Sequence, residues 1–285
     1  MTTTAVLPGT DTPRSVSLGR LLGAELRWVL RRPRTLVMLA VFALVPVLIS
    51  IGVAVGDPGE GGGRGLIGAV AGNGLVLPVV AITASLALLL PLAVAMVAAD
   101  AIAGEAAQGT LRGLLLAPVG RLRLVGMKAF GVLVVAVLAV LALAVVGVLA
   151  GVVVVGRPEG LLVTLSGTTL ETDEALGRIA LVVAWTIGQL AAVGAVALAV
   201  SALTEHPSVV IASVLGGLIV FGVLSAIPAL EWLQPYLLTT GWTAGADALR
   251  DPMPVDGMVT STLRALCYLA VGAGITVFRM LRRDG

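Results

Sequence analysis

The sequence predicts an all-α polytopic membrane protein with six transmembrane helices, and three observations carry that reading. Of 285 residues, 58% are hydrophobic and only 12% are charged, about half the charge of an ordinary soluble domain. Six apolar runs long enough to cross a bilayer occur, at 35–55, 74–98, 129–155, 179–203, 208–230 and 261–280. The charges lie between these runs. None contains Asp, Glu or Lys, and only the last contains Arg, at Arg264 and Arg279.

Residues 1–34 form a tail ahead of the six-span domain, 35–285. Within the tail, 16–32 has helical period: Leu18, Leu22, Leu26, Val29 and Leu30 share one face, opposite Arg20, Arg27 and Arg31. A basic amphipathic helix just before a span is expected to lie on the membrane surface. Glu25 and Arg32 fall on its Leu/Trp28 side, where they pair with each other or meet a partner subunit. Pro33 ends the helix and turns the chain into the first span. Six arginines precede that span and no small-residue cleavage pattern follows it, so it is not expected to be a signal peptide. Pro78 and Pro91 are expected to break the second span.

Basic residues set the orientation. With both termini in the cytoplasm, thirteen of the eighteen basic residues fall inside, against six of the sixteen acidic ones. The net charge of +2 hides that split and gives no sign of nucleic-acid binding. Seventeen Arg against one Lys, with heavy Ala, Gly and Val, suggest a bacterial source and hence the bacterial cytoplasmic membrane.

One cysteine, Cys267, and one histidine, His206, exclude an intrachain disulfide and a multi-histidine metal site. The only lysine stands in Gly126-Met127-Lys128-Ala129, so the Gly-Lys-Ser/Thr of a phosphate-binding loop is absent, as is Gly-x-Ser-x-Gly. No connection exceeds about 30 residues, below the roughly 40 a domain needs without disulfides or metal. A soluble catalytic unit is therefore expected on another chain.

The segment 99–128 is the most informative. Gly109 suits a helix C-cap and Thr110 the next N-cap, with a short apolar helix over 111–116 stopped by Pro118. Its leucines bury in the bilayer interface or meet a soluble partner. Gly104-Glu105-x-x-Gln108-Gly109-Thr110-Leu111, then Pro118-Val119-x-Arg121, then Lys128, resembles the loop of ABC transporter permeases of the type-2 export class. Glu25-Leu26-Arg27, followed by Arg31-Arg32-Pro33-Arg34, resembles that family's connecting helix. Ala106, Ala107 and Gly120 depart from its usual residues.

The resemblance implies two permease subunits, alike or different, each docking a separately encoded ATPase that holds ATP and Mg; this chain itself is expected to hold no cofactor. It implies that the loop bearing Glu105 feels ATPase closure, with a smaller contact at the turn Thr204-Glu205-His206-Pro207. That turn is also simply good turn chemistry.

The stretch 231–256, with Trp232, Pro235, Tyr236, Leu237, Leu238 and Trp242, is too apolar for a free loop and too short to span. It reads as re-entrant or interfacial pieces, or as an ordinary aromatic belt. Inside the spans the polar residues are few: Thr83, Ser85, Trp185, Thr186, Gln189, Ser213 and Ser225. Gln189 either lines a substrate route or hydrogen-bonds a neighbouring helix. Gly52-x-x-x-Gly56 and Gly147-x-x-x-Gly151 permit close helix packing.

Three functions fit: the permease of an ATP-driven exporter of a hydrophobic or amphipathic substrate, a proton-coupled carrier, or a permease-like assembly factor for metalloenzyme maturation. The spans lack the ionisable residues that proton coupling uses.

Overall fold

The computed structural model describes residues 19, 23, 26–27, 30–55, 70, 73–109, 120–156, 162–164 and 166–282. Six helices among them are long and apolar enough to cross a membrane. In chain order the elements are α1 (Pro33–Val55), α2 (Leu77–Leu86), α3 (Leu89–Ala99), α4 (Arg121–Ala150), α5 (Thr172–Leu203), α6 (Pro207–Ala226) and α7 (Asp256–Arg282). Residues 19, 23, 26, 27, 30 and 31 are helical, Arg32 is not, and α1 begins at Pro33. Glu25 and Trp28 lie outside the described residues.

α2 and α3 together make the second span, and its break lies elsewhere than at both prolines. Pro78 sits in the first turn of α2, where a missing N–H costs nothing. The discontinuity falls at Ala87 and Leu88, with Leu88 at φ −149°, ψ −50°. Pro91 explains it: proline cannot donate to the carbonyl four residues back, which is Ala87. The span then runs past residue 98, through a π-helical turn at Asp100–Gly104, to Ala107.

The third, fourth and sixth spans also outrun their apolar runs, whereas the fifth stops short of its own. α4 starts at Arg121, eight residues before the apolar run, and continues through a π turn, Gly151–Val155. α5 starts at Thr172, with Asp173 and Glu174 in its first turn, where carboxylates suit the helix dipole. α6 ends at Ala226, because Pro228 follows and opens a run of 3-10 turns, Pro228–Tyr236, succeeded by a second, Leu238–Leu249. Between α4 and α5, β1 (Leu162–Val163) and β2 (Thr169–Leu170) form a two-residue antiparallel ladder, which apolar periodicity does not reveal.

Small residues set the helix spacing. A Cβ on Gly151 would lie 2.0 Å from the carbonyl oxygen of Gly74, and one on Gly147 would lie 2.8 Å from the Cα of Pro78. Gly147-x-x-x-Gly151 is therefore a true close-packing surface, against the start of the second span. Gly52 meets nothing within 4 Å. Gly272 gives α7 the same intimacy with α5, since its Cβ would lie 2.6 Å from the Ala195 carbonyl carbon. The buried core runs through α2, α3, α4 and α5. α1 and α6 stand at the edge, exposing Leu36, Val37, Leu44, Leu48, Ile219 and Val223.

Gly151→Ala, which drives a methyl into the Gly74 backbone, is expected to destabilise the chain by about 1–3 kcal/mol. Gly52→Ala is expected to be neutral or slightly stabilising, and thermal unfolding in detergent compares the two.

Candidate functional site

The charged residues of the described chain gather at two ends of the helix bundle. One end holds the termini of α3, α5 and α7 and the beginnings of α1, α4 and α6, and is rich in Arg. It is built by four bridges between segments distant in sequence.

At the first bridge, Arg32 and Arg34, flanking Pro33, both reach Asp100 Oδ2, at 3.3 and 2.8 Å. This ties the start of α1 to the end of α3. At the second, Lys128 Nζ donates to Glu105 Oε1. These two side chains are only 7% and 14% exposed. Lys128 lies two turns inside α4, and Glu105 follows the π turn that ends the second span. Glu105 thus pairs within the chain instead of standing as a solvated surface charge.

At the third bridge, Arg121 Nη1 donates to the carbonyls of Met280 and Leu281, at 3.4 and 2.6 Å. Helix C-termini leave such carbonyls without intrahelical partners, and a cation there also suits the dipole. The fourth bridge is Ser201. Its hydroxyl accepts from the Ala103 N–H at 2.9 Å and donates to the Ala99 carbonyl at 3.5 Å. In a regular α-helix those two groups would bond each other. Ser201 therefore inserts itself into the ladder at the π turn, the kind of bulge often found at functional sites.

The expected C-cap is present: Gly109 has φ +72° and its N–H reaches the Ala106 carbonyl. Gly104 is buried in the π turn, while Gln108 is exposed and its N–H bonds the Gly104 carbonyl. Thr110, Leu111, Pro118 and the expected helix over 111–116 lie outside the described residues. The connection is therefore anchored on both sides, by Glu105–Lys128 before it and Arg121 after it. Glu205 and His206 are exposed in the turn between α5 and α6, where the His206 N–H bonds Thr204 Oγ1 at 3.2 Å. A polar cleft of about 280 Å³ is bordered there by Thr204, Glu205, Arg279 and Arg282. Arg27 and Arg31 are exposed.

The opposite end is acidic and carries the 3-10 runs. Arg178 is its hub, reaching Glu174 at 2.9 Å, Asp251 at 3.3 Å and the Arg250 carbonyl at 2.6 Å. Trp232 and Tyr236 are exposed, whereas Leu237, Leu238 and Trp242 are buried. The 231–256 stretch thus combines an aromatic rim with a segment that folds inward.

Of the sequence-predicted path residues, Trp185 Nε1 donates to Ser261 Oγ at 3.1 Å. Thr83 is half-buried and Ser85 buried. Gln189 is 1% exposed, and neither atom of its amide has a partner among the described residues. Of its two expected roles, the hydrogen bond to a neighbouring helix is not seen among the described residues. Towards the Arg-rich end, a groove of about 200 Å³ between α4, α5 and α7 is lined almost wholly by carbon, including Val132, Leu133, Leu190, Leu198 and Leu269.

Asp100 and Ser201 are the site residues that sequence reasoning missed. Asp100 was legible as an acid one turn before Gly104-Glu105, on the same side as Arg31-Arg32-Pro33-Arg34. Nothing in the sequence marks a π turn for Ser201 to serve.

The protein family described as ABC-2 family transporter protein matches residues 20–243, well over half of the chain. None of the curated proteins matches it.

Lys128→Met breaks the buried ion pair with Glu105 and is expected to destabilise the chain by about 3–5 kcal/mol, with much of that recovered in the double variant Lys128→Met/Glu105→Leu. Ser201→Ala leaves a buried amide unsatisfied and is expected to cost about 1–3 kcal/mol. Thermal melts of the four proteins, wild type included, test both statements.

Proposed function

Because the chain belongs to the ABC-2 transporter family and is a permease subunit of an ABC transporter, we propose that it serves an ATP-driven exporter in a bacterial cytoplasmic membrane. In this reading the Arg-rich end faces the cytoplasm, with both termini, and receives a separate ABC ATPase that carries ATP and Mg. Two permease subunits, identical or different, pair in the membrane with one ATPase each. The cargo is hydrophobic or amphipathic.

The observation that carries the reading is the bracing of the 109–120 connection. A push on a loop moves helices only if the loop's ends are fixed to them. Here Glu105–Lys128 clamps the second span to the third, and Arg121 holds the start of α4 to the end of α7. Arg32 and Arg34 on Asp100 bring in the first span. A load at one connection therefore reaches the first, second, third and sixth spans through charge-assisted hydrogen bonds, the stronger kind. The turn at Glu205 and His206 supplies a second, smaller contact beside Arg279 and Arg282. Positive charge at this end also fits the side on which Arg and Lys are retained during insertion.

Energy coupling through protons has little to work with. No carboxylate lies in the middle of any span, and the groove between α4, α5 and α7 offers almost only carbon to a passing molecule.

Co-expression with a partner ABC ATPase is expected to yield a complex that survives purification, whereas the chain alone in proteoliposomes under a pH gradient is expected to transport nothing. Glu105→Ala is expected to lower cargo-stimulated ATP hydrolysis by about fivefold or more. Unchanged docking and unchanged stimulation would remove Glu105 from the coupling element.

A further inference from the structure

Buried polar atoms without partners are uncommon in folded proteins because each carries a desolvation cost. In this chain they concentrate in one layer. Ser85 Oγ, Thr186 Oγ1, both amide atoms of Gln189, Thr239 Oγ1, Trp242 Nε1 and Arg264 Nε are all buried and have no partner among the described residues.

Their neighbourhood follows from close contacts. The second 3-10 run folds onto α5 and α7: a Cβ on Gly245 would lie 2.9 Å from the Trp185 ring, and one on Gly241 would lie 2.4 Å from the Ser261 Cβ. Trp185 and Ser261 bond each other. Arg264 Nη1 reaches the Leu237 carbonyl at 2.6 Å and also Thr240 Oγ1. Arg264 thus lies against residues 237–240, the stretch that carries Thr239 and leads into Trp242, and one helical turn from Ser261. Val94 lies against Gly194, and Ala99 and Ala103 against Ser201, so α3 and α5 run side by side. Beyond the break at Ala87–Leu88, α2, which carries Ser85, touches both α5 and the second 3-10 run.

The layer is richer in donors than in acceptors. Arg264 Nε and Trp242 Nε1 donate and cannot accept. The hydroxyls of Thr186, Thr239 and Ser85 can donate as well as accept, and the Gln189 amide adds one group of each kind. Arg264 is a full cation with no carboxylate partner among the described residues, lying within an otherwise apolar span where a charge calls for a counter-charge. A planar carboxylate, with two oxygens, engages fewer of these donors than a phosphate does, and Arg suits phosphate well.

We propose that this layer, closed beneath residues 237–249, is the binding site for the phosphate-bearing headgroup of an amphipathic cargo, with Arg264 as its counter-charge. The assignment rests on the permease reading and deepens it. It also explains why the polar groups tolerate burial without partners: their hydrogen bonds are made to the cargo. Replacing such a group by an apolar one of similar size should then stabilise the empty chain while weakening the bound state.

The test uses the purified full chain in neutral detergent, without the ATPase, so it does not depend on subunit docking. Short-chain phosphatidylglycerol, a neutral monoacylglycerol of matched chain length and inorganic phosphate are titrated, following Trp fluorescence and melting temperature. Phosphatidylglycerol is expected to bind saturably, the monoacylglycerol at least about tenfold more weakly, and inorganic phosphate more weakly than the lipid. Arg264→Gln is expected to remove the preference for the anionic lipid. Gln189→Met is expected to weaken phosphatidylglycerol binding about five- to tenfold and to raise the melting temperature by about 2–4 °C. The second variant carries the test if the first, which also loses its hold on Leu237 and Thr240, does not fold. Equal binding of the neutral and anionic amphipaths overturns the proposal. So does a Gln189→Met chain that melts lower and binds phosphatidylglycerol as wild type does, and so does inorganic phosphate binding as tightly as the lipid. A complex that still docks its ATPase in those cases would leave the permease reading standing.

Discussion

The architecture turns on the ion pair between Lys128 and Glu105. Hydrocarbon offers a buried charge nothing to bind, so a lysine two turns inside a span-forming helix must bring its own counter-ion. Glu105 is that counter-ion, and its placement depends on the π turn Asp100–Gly104, which adjusts how the last helical turn of the second span faces α4. The π turn in turn depends on Ser201, which completes the bond the bulge interrupts. The ion pair and the Ser201 hydrogen bonds together link the second, third and fourth spans at a single end. Asp100, at the beginning of the same bulge, gathers Arg32 and Arg34 from the first.

The two ends of the bundle are organised for different work. At the Arg-rich end, guanidinium and ammonium groups bridge separate helices across short connections, an arrangement that transmits force. At the acidic end the chain spends residues 228–249 on two runs of 3-10 turns and folds one of them inward against α5 and α7. Glycines at 241 and 245 let it approach closely, and Arg178 pins its far end. Between these ends the second span is bent at Ala87–Leu88, next to the layer of buried polar groups.

Much of the fold was legible in the sequence because its strongest signals are local. Apolar runs near bilayer length locate the spans, and the Arg-rich segments separate one end from the other. The helix ends were less legible, since α4 and α5 extend beyond their apolar runs into Arg121–Lys128 and Thr172–Arg178, where polar residues remain helical. The effect of Pro91 was predictable in kind but displaced in position, because proline acts on the carbonyl four residues earlier. Pro78 broke nothing, being in a first turn. The candidate site was legible wherever a motif stood in one stretch, as with Gly104, Glu105 and the cap at Gly109. Contacts between distant segments were not legible, and Asp100 with Arg32 and Arg34, Arg121 with the end of α7, and Ser201 in the π turn are all of that type. Gln189 was legible as a polar residue inside a span, but its lack of a partner among the described residues is a tertiary property.

The braced end, through residues 109–120, is proposed to be where an ATPase acts on the membrane helices. A photo-crosslinking side chain placed at Leu114, and separately at Trp232 on the opposite end, tests this directly in the complex co-expressed with its ATPase. A covalent adduct with the ATPase is expected from position 114 and none from position 232. An adduct from position 232, or an intact complex that gives none from position 114, would contradict it.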